Sequence, residues 1–435
     1  MCTNLILFTV LSLLFSIEAK SIPNAQSEKV ELNESTLKLL FVVAREGEVY
    51  PNNYMIKACP KYEYANHGFP PGELIENGRI SMYQLGHKLR LIYPEFLHRR
   101  YITKNLLKAT AVGNKYTIST REGALLTLKG LRNENMNKAI NTRKWSAKRL
   151  STTRNDEFTD AASGYYQSCP NFFKKQKIAL KKELMHKEKN KRPADESTIT
   201  DEDINSKTKN LINKLNENTG ANITGDNLVA LKYLADLYEA TERSNLLLPK
   251  WYDEDMWISL HFLMRRYIEA SVSTNDLRSL AGGRMVKYFF DKLDDKLAGR
   301  LEPCETKLLL HIGYERTVVP FFAALAGEYG FENKWVGLNT TKKSIRAFEG
   351  GMFVIEVHES KDSDDYWLRM IYSESLYAPI SEVTKSECGH PCSFKKLKEI
   401  TKATIDKDKW TKKCTESPKS IIKTKKTKVM KKSEI

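Results

Sequence analysis

The sequence predicts an α/β protein: a mostly parallel sheet with flanking helices, into which an all-helical cap is inserted. Two apolar runs far apart in the chain carry the sheet, LKLLFVVA from Leu37 to Ala44 and KLLLHI from Lys307 to Ile312. Each is short, aliphatic and followed by a charged turn, the pattern of a strand buried on both faces. The cap is predicted by a change of character between Asp156 and Gly299, where helix-period segments follow one another with no strand between them.

The 435-residue chain opens with an apolar stretch, Leu5 to Ile17, too short to span a bilayer comfortably and shaped like a secretory signal over residues 1–20. No later segment reaches about 18 unbroken apolar residues, so no transmembrane segment is predicted. After the first strand, Ile80, Tyr83, Leu85, Leu89 and Ile92 recur at roughly helical spacing. A short strand ending at Ile118 or Ser119 then leads into a helix carrying Leu125, Leu126, Leu128 and Leu131. Strand, helix and strand in that order imply parallel pairing. These elements place residues 36–155 in the α/β domain, ahead of a cap over residues 156–299. Within the cap, Asp226 caps a helix that sets Leu228, Leu231, Leu234, Leu237 and Tyr238 on one face. The α/β domain resumes over residues 300–414, with the second buried strand, a helix opening over Val318 to Leu325, and an antiparallel pair in SIRAFEGGMFVIEVHES and DDYWLRMIYSE. Residues 415–435 form a lysine-rich tail.

Cysteine usage agrees with export. Removing Cys2 with the signal leaves six cysteines, an even number that suits three disulfides in an oxidising compartment. Cys388 and Cys392 are close enough to bridge one tight turn. His390 between them would allow a metal site, but a secreted setting favours the disulfide, and no metal or cofactor is predicted. Asn33, Asn222 and Asn339 each open a glycosylation sequon, natural on a secreted, extracellular surface. The net charge of +16 is concentrated between Lys174 and Pro193 and in the tail. Such segments are solvated, and they fit a polyanion such as heparan sulfate or an anionic lipid surface. No nucleic-acid-binding motif accompanies them.

The first strand runs into Arg45-Glu46-Gly47-Glu48 and the second into Gly313-Tyr314-Glu315, at the strand ends where α/β proteins hold ligands. With GELIENGRISMYQLG (residues 72–86), LPKW (248–251), SLAGGRMV (279–286) and CGHPCSFKKL (388–397), this layout resembles the histidine acid phosphatases, especially the secreted insect type known from venoms. The similarity covers nearly all of the mature chain to about Cys414. The resemblance implies a phosphatase fold and a phosphate site built on Arg-His-Gly-x-Arg-x-Pro, whose histidine attacks phosphorus and whose arginines neutralise the phosphate oxygens. Here Arg45 matches the first arginine, Glu46 stands at the nucleophile, and Val49 at the second arginine. The family's third arginine matches Ile118 in Ile118-Ser119-Thr120; an alternative match, Lys108-Ala109-Thr110, would keep a cation there. In the last turn the phosphate-binding histidine has become Tyr314, while Glu315 keeps the position of the acid that protonates the leaving oxygen. The resemblance also implies a Cys169–Cys414 disulfide, leaves Cys59 with Cys304, and allows a homodimer.

Phosphoryl transfer needs a nucleophile free at the working pH and a field that cancels phosphate charge. Arg45 is the only cation kept in the matched motifs, against Glu46, Glu48 and Glu315. Each lost anion-stabilising donor costs roughly 100- to 1,000-fold in rate. The expectation is therefore a retired site plugged by an Arg45–Glu46 salt bridge, in a secreted binding or effector protein. The alternative is an active secreted acid phosphatase for phosphate monoesters with a rebuilt site. Two further readings are a hydrolase using Glu46 and Glu315 as base and acid, and a pocket for a cationic or neutral ligand.

Overall fold

Strand β1 (Leu37–Arg45) is apolar almost throughout because it has helices over both faces. The computed structural model describes residues 36–62, 70–97, 105–113, 118–141, 157–184, 206–224, 227–327, 346–360, 365–385 and 387–415. After β1 come α1 (Asn53–Ala58), α2 (Glu76–Ile92), α3 (Pro94–Leu97), β2 (Leu107–Ala111), α4 (Ser119–Leu131) and α5 (Met136–Asn141). A helical run follows: α6 (Glu157–Ser168), α7 (Pro170–Leu184), α8 (Ser206–Thr219), α9 (Val229–Arg243), α10 (Glu254–Ala270) and α11 (Asn275–Leu297). The chain then returns to the sheet with β3 (Leu308–Gly313), α12 (Glu315–Ala326), β4 (Met352–Glu359), β5 (Tyr366–Ser373), β6 (Ser381–Val383) and β7 (Cys392–Ser393). It ends in α13 (Phe394–Ile400), α14 (Lys402–Ile405) and α15 (Lys407–Thr415).

The sheet has seven strands in the order β2-β3-β1-β4-β5-β6, with β7 also pairing β5. It is mixed. Pairings β1–β3 and β2–β3 are parallel, whereas β4, β5, β6 and β7 continue in antiparallel register. Along β1 the period of two divides the core: Leu39, Phe41 and Val43 join the helical run and α12, while Leu40, Val42 and Ala44 join α2 and α4. Helices α6 and α11 pack with α12, and Tyr288 and Phe289 of α11 lie against Phe41. The helical run and α12 together thus cover one face of the sheet, and α9 walls the space beyond its carboxyl end.

Two glycines let α2 press on the turn after β1. A Cβ on Gly78 would fall 2.1 Å from the Glu48 carbonyl oxygen, and one on Gly47 would fall 2.3 Å from the Gly78 carbonyl oxygen. The first turn of α2 therefore fixes the path of residues 46–49.

Three sequence expectations change. The strand before α4 is Leu107–Ala111, paired with β3 from Leu107↔Leu308 to Ala111↔Ile312, and Ile118 is an exposed residue with helical φ and ψ at the start of α4. The slot beside β3 takes small side chains, Ala109 and Ala111 on the side of α4 and Thr110 on the opposite face beside His311. Second, Cys169 is bonded to Cys414 and Cys388 to Cys392, but Cys59 and Cys304 are both free. Cys59 lies beyond the carboxyl end of β1 and Cys304 before the amino end of β3; parallel pairing puts these ends about 20 Å apart. Buried Cys59 instead lies 3.3 Å from the Tyr238 hydroxyl. Third, α9 starts at Val229 with Leu228 at its N-cap and no side-chain cap. The proposed cap Asp226, the signal segment, Asn33, Asn339, the lysine run beyond Leu184 and the tail beyond Thr415 lie outside the described residues. Asn222 is exposed.

Candidate active site

The parallel strands β1 and β3 end side by side, with Arg45 paired in register to Gly313. Beyond them opens a cavity of about 430 Å³, walled by the turn after β1, the start of α12 and one face of α9. Arg45, Glu46, Val49, Tyr314 and Glu315 all line it. Neither match for the third arginine does so. Ile118 is exposed and Lys108 sits mid-strand opposite Leu309, whereas Ser119, one residue on, does reach the cavity.

Arg45 and Glu46, expected to pair, have different partners. The Arg45 guanidinium donates to the Ala347 carbonyl at 2.8 Å, meets Glu349 at 2.8 Å and lies 4.0 Å from Glu315. Burial works against its charge, yet Glu349 and Glu315 outweigh this and hold its pKa above the ordinary arginine value. Ser119 Oγ donates to Glu46 Oε2 at 2.5 Å. Burial pushes the Glu46 carboxyl up to about 7, against the opposing pull of Ser119, Arg45 and Arg316.

The pairing continues on both sides. Arg346 Nε donates to Glu315 Oε1 at 2.6 Å, as does the Ala347 amide at 3.2 Å. Burial opposes ionisation of Glu315, but Arg346 and Arg45 keep its pKa below the usual carboxylate value. On the other side, Glu349 also meets Arg243 at 2.5 Å, and Arg243 meets Glu239 at 2.6 Å. The result is an alternating ladder, Glu239–Arg243–Glu349–Arg45–Glu315–Arg346, that ties α9 to the rim of the sheet. Glu239, at its end, is pushed up to about 7 by burial and by Glu349. Arg316 stands apart, its guanidinium stacked over Tyr166 at 4.7 Å and Tyr314 at 4.5 Å.

Sequence reading missed Lys232, Asp236, Glu239 and Arg243 of α9, Glu349, and Arg316. Arg316 was legible as the neighbour of Glu315, and the α9 residues recur along the polar side of an amphipathic helix. Nothing local marks Glu349, which reaches Arg45 only because the segment before β4 folds back over β1. Among the described residues the cavity wall holds six acids (Glu46, Glu48, Asp236, Glu239, Glu315, Glu349) and five bases (Arg45, Lys57, Lys232, Arg243, Arg316). Among the described residues no histidine lines it and no cluster of metal-ligating side chains is present. No helix among them is long and apolar enough to cross a membrane.

A helical roof over the carboxyl end of a mixed sheet, with an arginine closing the central strand and an acid opening the helix after its parallel neighbour, defines a phosphatase-type scaffold. The chain belongs to the histidine phosphatase superfamily (branch 2), whose profile matches residues 25–373. It is 23% identical over 392 residues to the acid phosphatase-like protein XcAP-1 of Xenopsylla cheopis, covering 87% of this chain and 94% of that one. Among solved structures it is similar to the Hafnia alvei phytase in complex with tartrate (TM-score 0.55, 12% identity, 86% of this chain and 98% of that chain). The Citrobacter braakii phytase gives a TM-score of 0.53 at 14% identity, covering 88% and 100%. At these identities the two phytases share the fold with this chain.

Proposed function

We propose that the protein is a secreted, catalytically inactive member of the superfamily that acts as a binding or effector protein, holding a small organic molecule in its cavity. One observation carries this reading. Arg45, the cation the family would aim at phosphate, is engaged by Glu349, Glu315 and the Ala347 carbonyl, while Glu46, which the motif match sets at the nucleophile position, lines the same cavity. A phosphate dianion entering the cavity would have to compete with Glu349 and Glu315 for the Arg45 guanidinium. A carboxylate can attack phosphorus, but enzymes that do so rely on a divalent metal to bring two anions together. Near-balanced charge, with Tyr54, Tyr233 and Tyr314 in the wall, suits a neutral or cationic ligand better. Export is supported by the disulfides and by the exposed sequon at Asn222. The lysine-rich segments would add attachment to a polyanionic surface.

The test is turnover of p-nitrophenyl phosphate from acid to neutral pH by the protein, by Arg45→Ala and by Glu46→His. The expected result is no turnover above the Arg45→Ala background. Glu46→His should also stay silent, because Val49, Tyr314 and the engaged Arg45 still withhold the cationic field. Turnover by the unaltered protein that Arg45→Ala abolishes would establish the alternative, an acid phosphatase with a rebuilt site.

A further inference from the structure

Helix α10 is apolar on the side that faces solvent as well as on the side that faces the core. Met256, Leu260, Leu263, Met264, Tyr267 and Ile268 are buried, in a helix that packs against α9 and α7. On the opposite face Trp257, Ile258 and Phe262 are 41%, 51% and 49% exposed. His261 stacks on Trp257 at 4.2 Å, so four adjacent residues form one patch. A surface helix of a monomer carries polar residues there, and clustered large apolar side chains mark an interface.

The charges along the same helix say what covers the patch. Its amino end carries Asp253, Glu254 and Asp255, and its carboxyl end Arg265 and Arg266. We propose that α10 pairs with α10 of a second copy of this chain, antiparallel across a two-fold axis that passes the helix midway between Ser259 and Leu260. That operation sets Trp257 opposite Phe262 and Ile258 opposite His261. It also sets Glu254 opposite Arg265 and Asp253 opposite Arg266, on both sides of the axis. Arg265 and Arg266, 31% and 25% exposed, meet Glu269 at 3.1 Å within their own helix, and Arg266 also lies 5.0 Å over the Phe262 ring, so these charges border the apolar patch. The apolar patch supplies the affinity and the charges fix the antiparallel sense. An anionic membrane is the poorer fit, because three carboxylates at one end of the helix oppose it.

Sedimentation velocity over a concentration series tests this with the full chain. The expected species is a dimer that Phe262→Glu converts to monomer, with the far-ultraviolet circular dichroism and melting profile retained. Glu254→Arg should weaken the dimer on the order of tenfold by placing like charges opposite each other, and Arg265→Glu in the same chain should restore it. A monomer at every concentration, a dimer indifferent to Phe262→Glu, or a charge swap that fails to restore association would overturn the proposal. So would a monomer that binds phosphatidylserine vesicles through Phe262. None of these readouts depends on whether the cavity hydrolyses phosphate.

Discussion

Glu46 holds its proton close to neutral pH because the cavity wall desolvates it more than Ser119 and the nearby arginines compensate. A carboxyl whose pKa is raised on folding binds its proton more tightly in the native state. Its contribution therefore favours the folded protein at low pH and is lost as pH climbs from the unfolded value of 4.5 to the folded value of about 7. Glu239 has the same sign, while Glu315 and Glu349, held below the ordinary value by their arginines, stabilise above it and lose that on acidification. Glu46→Gln should raise the unfolding free energy measured by urea titration at pH 8 more than at pH 5, by an amount on the order of 2 kcal/mol. Parallel profiles for the two proteins would show that Glu46 is solvated and ionised in the native state. The identity of Arg45, Glu46, Tyr314 and Glu315 as wall residues was legible in the sequence, because each sits at a strand end in a recognisable motif. Their partners were not. Arg45 and Glu46 are neighbours in sequence, yet one turns to Glu349 and the other to Ser119, choices made by segments hundreds and tens of residues away.

At the scale of elements, the site depends on how closely α2 meets the turn after β1. Gly78 is the hinge of that contact, and a methyl group there would overlap the Glu48 carbonyl. Neither partner is a flexible side chain, so the overlap can be relieved only by moving backbone. Gly78→Ala should destabilise the fold by about 1–3 kcal/mol, although alanine is the better helix former, and should raise the solvent accessibility of the cavity. Differential scanning calorimetry gives the first and hydrogen–deuterium exchange at residues 46–49 the second; a melting point at or above that of the unaltered protein would mean the turn adapts freely. The helices α2, α4, α9 and α12 were visible in the chain because apolar residues cluster in each over a helical length. Strand β2 was not, since Leu107-Lys-Ala-Thr-Ala has little β-propensity of its own and is held by β3 on one side and α4 above.

Across the whole molecule, the positive charge is not spread evenly, and the fold decides which part of it is available. The lysines of α7 are partly committed: Lys175 meets Asp276 at 2.6 Å, a carboxylate shared with Lys413 at 2.9 Å, and Lys181 is only 7% exposed. Asp276 opens α11, close to the Cys169–Cys414 disulfide that joins α15 to the α6–α7 corner, so these lysines help close the molecule. Residues 416–435 carry seven lysines against two glutamates, and the sequence gives them no apolar periodicity to bury. If the chain attaches to polyanions, this segment should dominate. Protein ending at Thr415 should leave immobilised heparin at clearly lower salt than the full chain, because every lysine withdrawn removes a screened contact. Equal elution would transfer the interaction to the folded body and leave the tail without this role. A loss of binding confined to the truncated form, with cavity-wall variants such as Glu46→Gln eluting normally, would separate surface attachment from ligand capture as two independent properties of one scaffold.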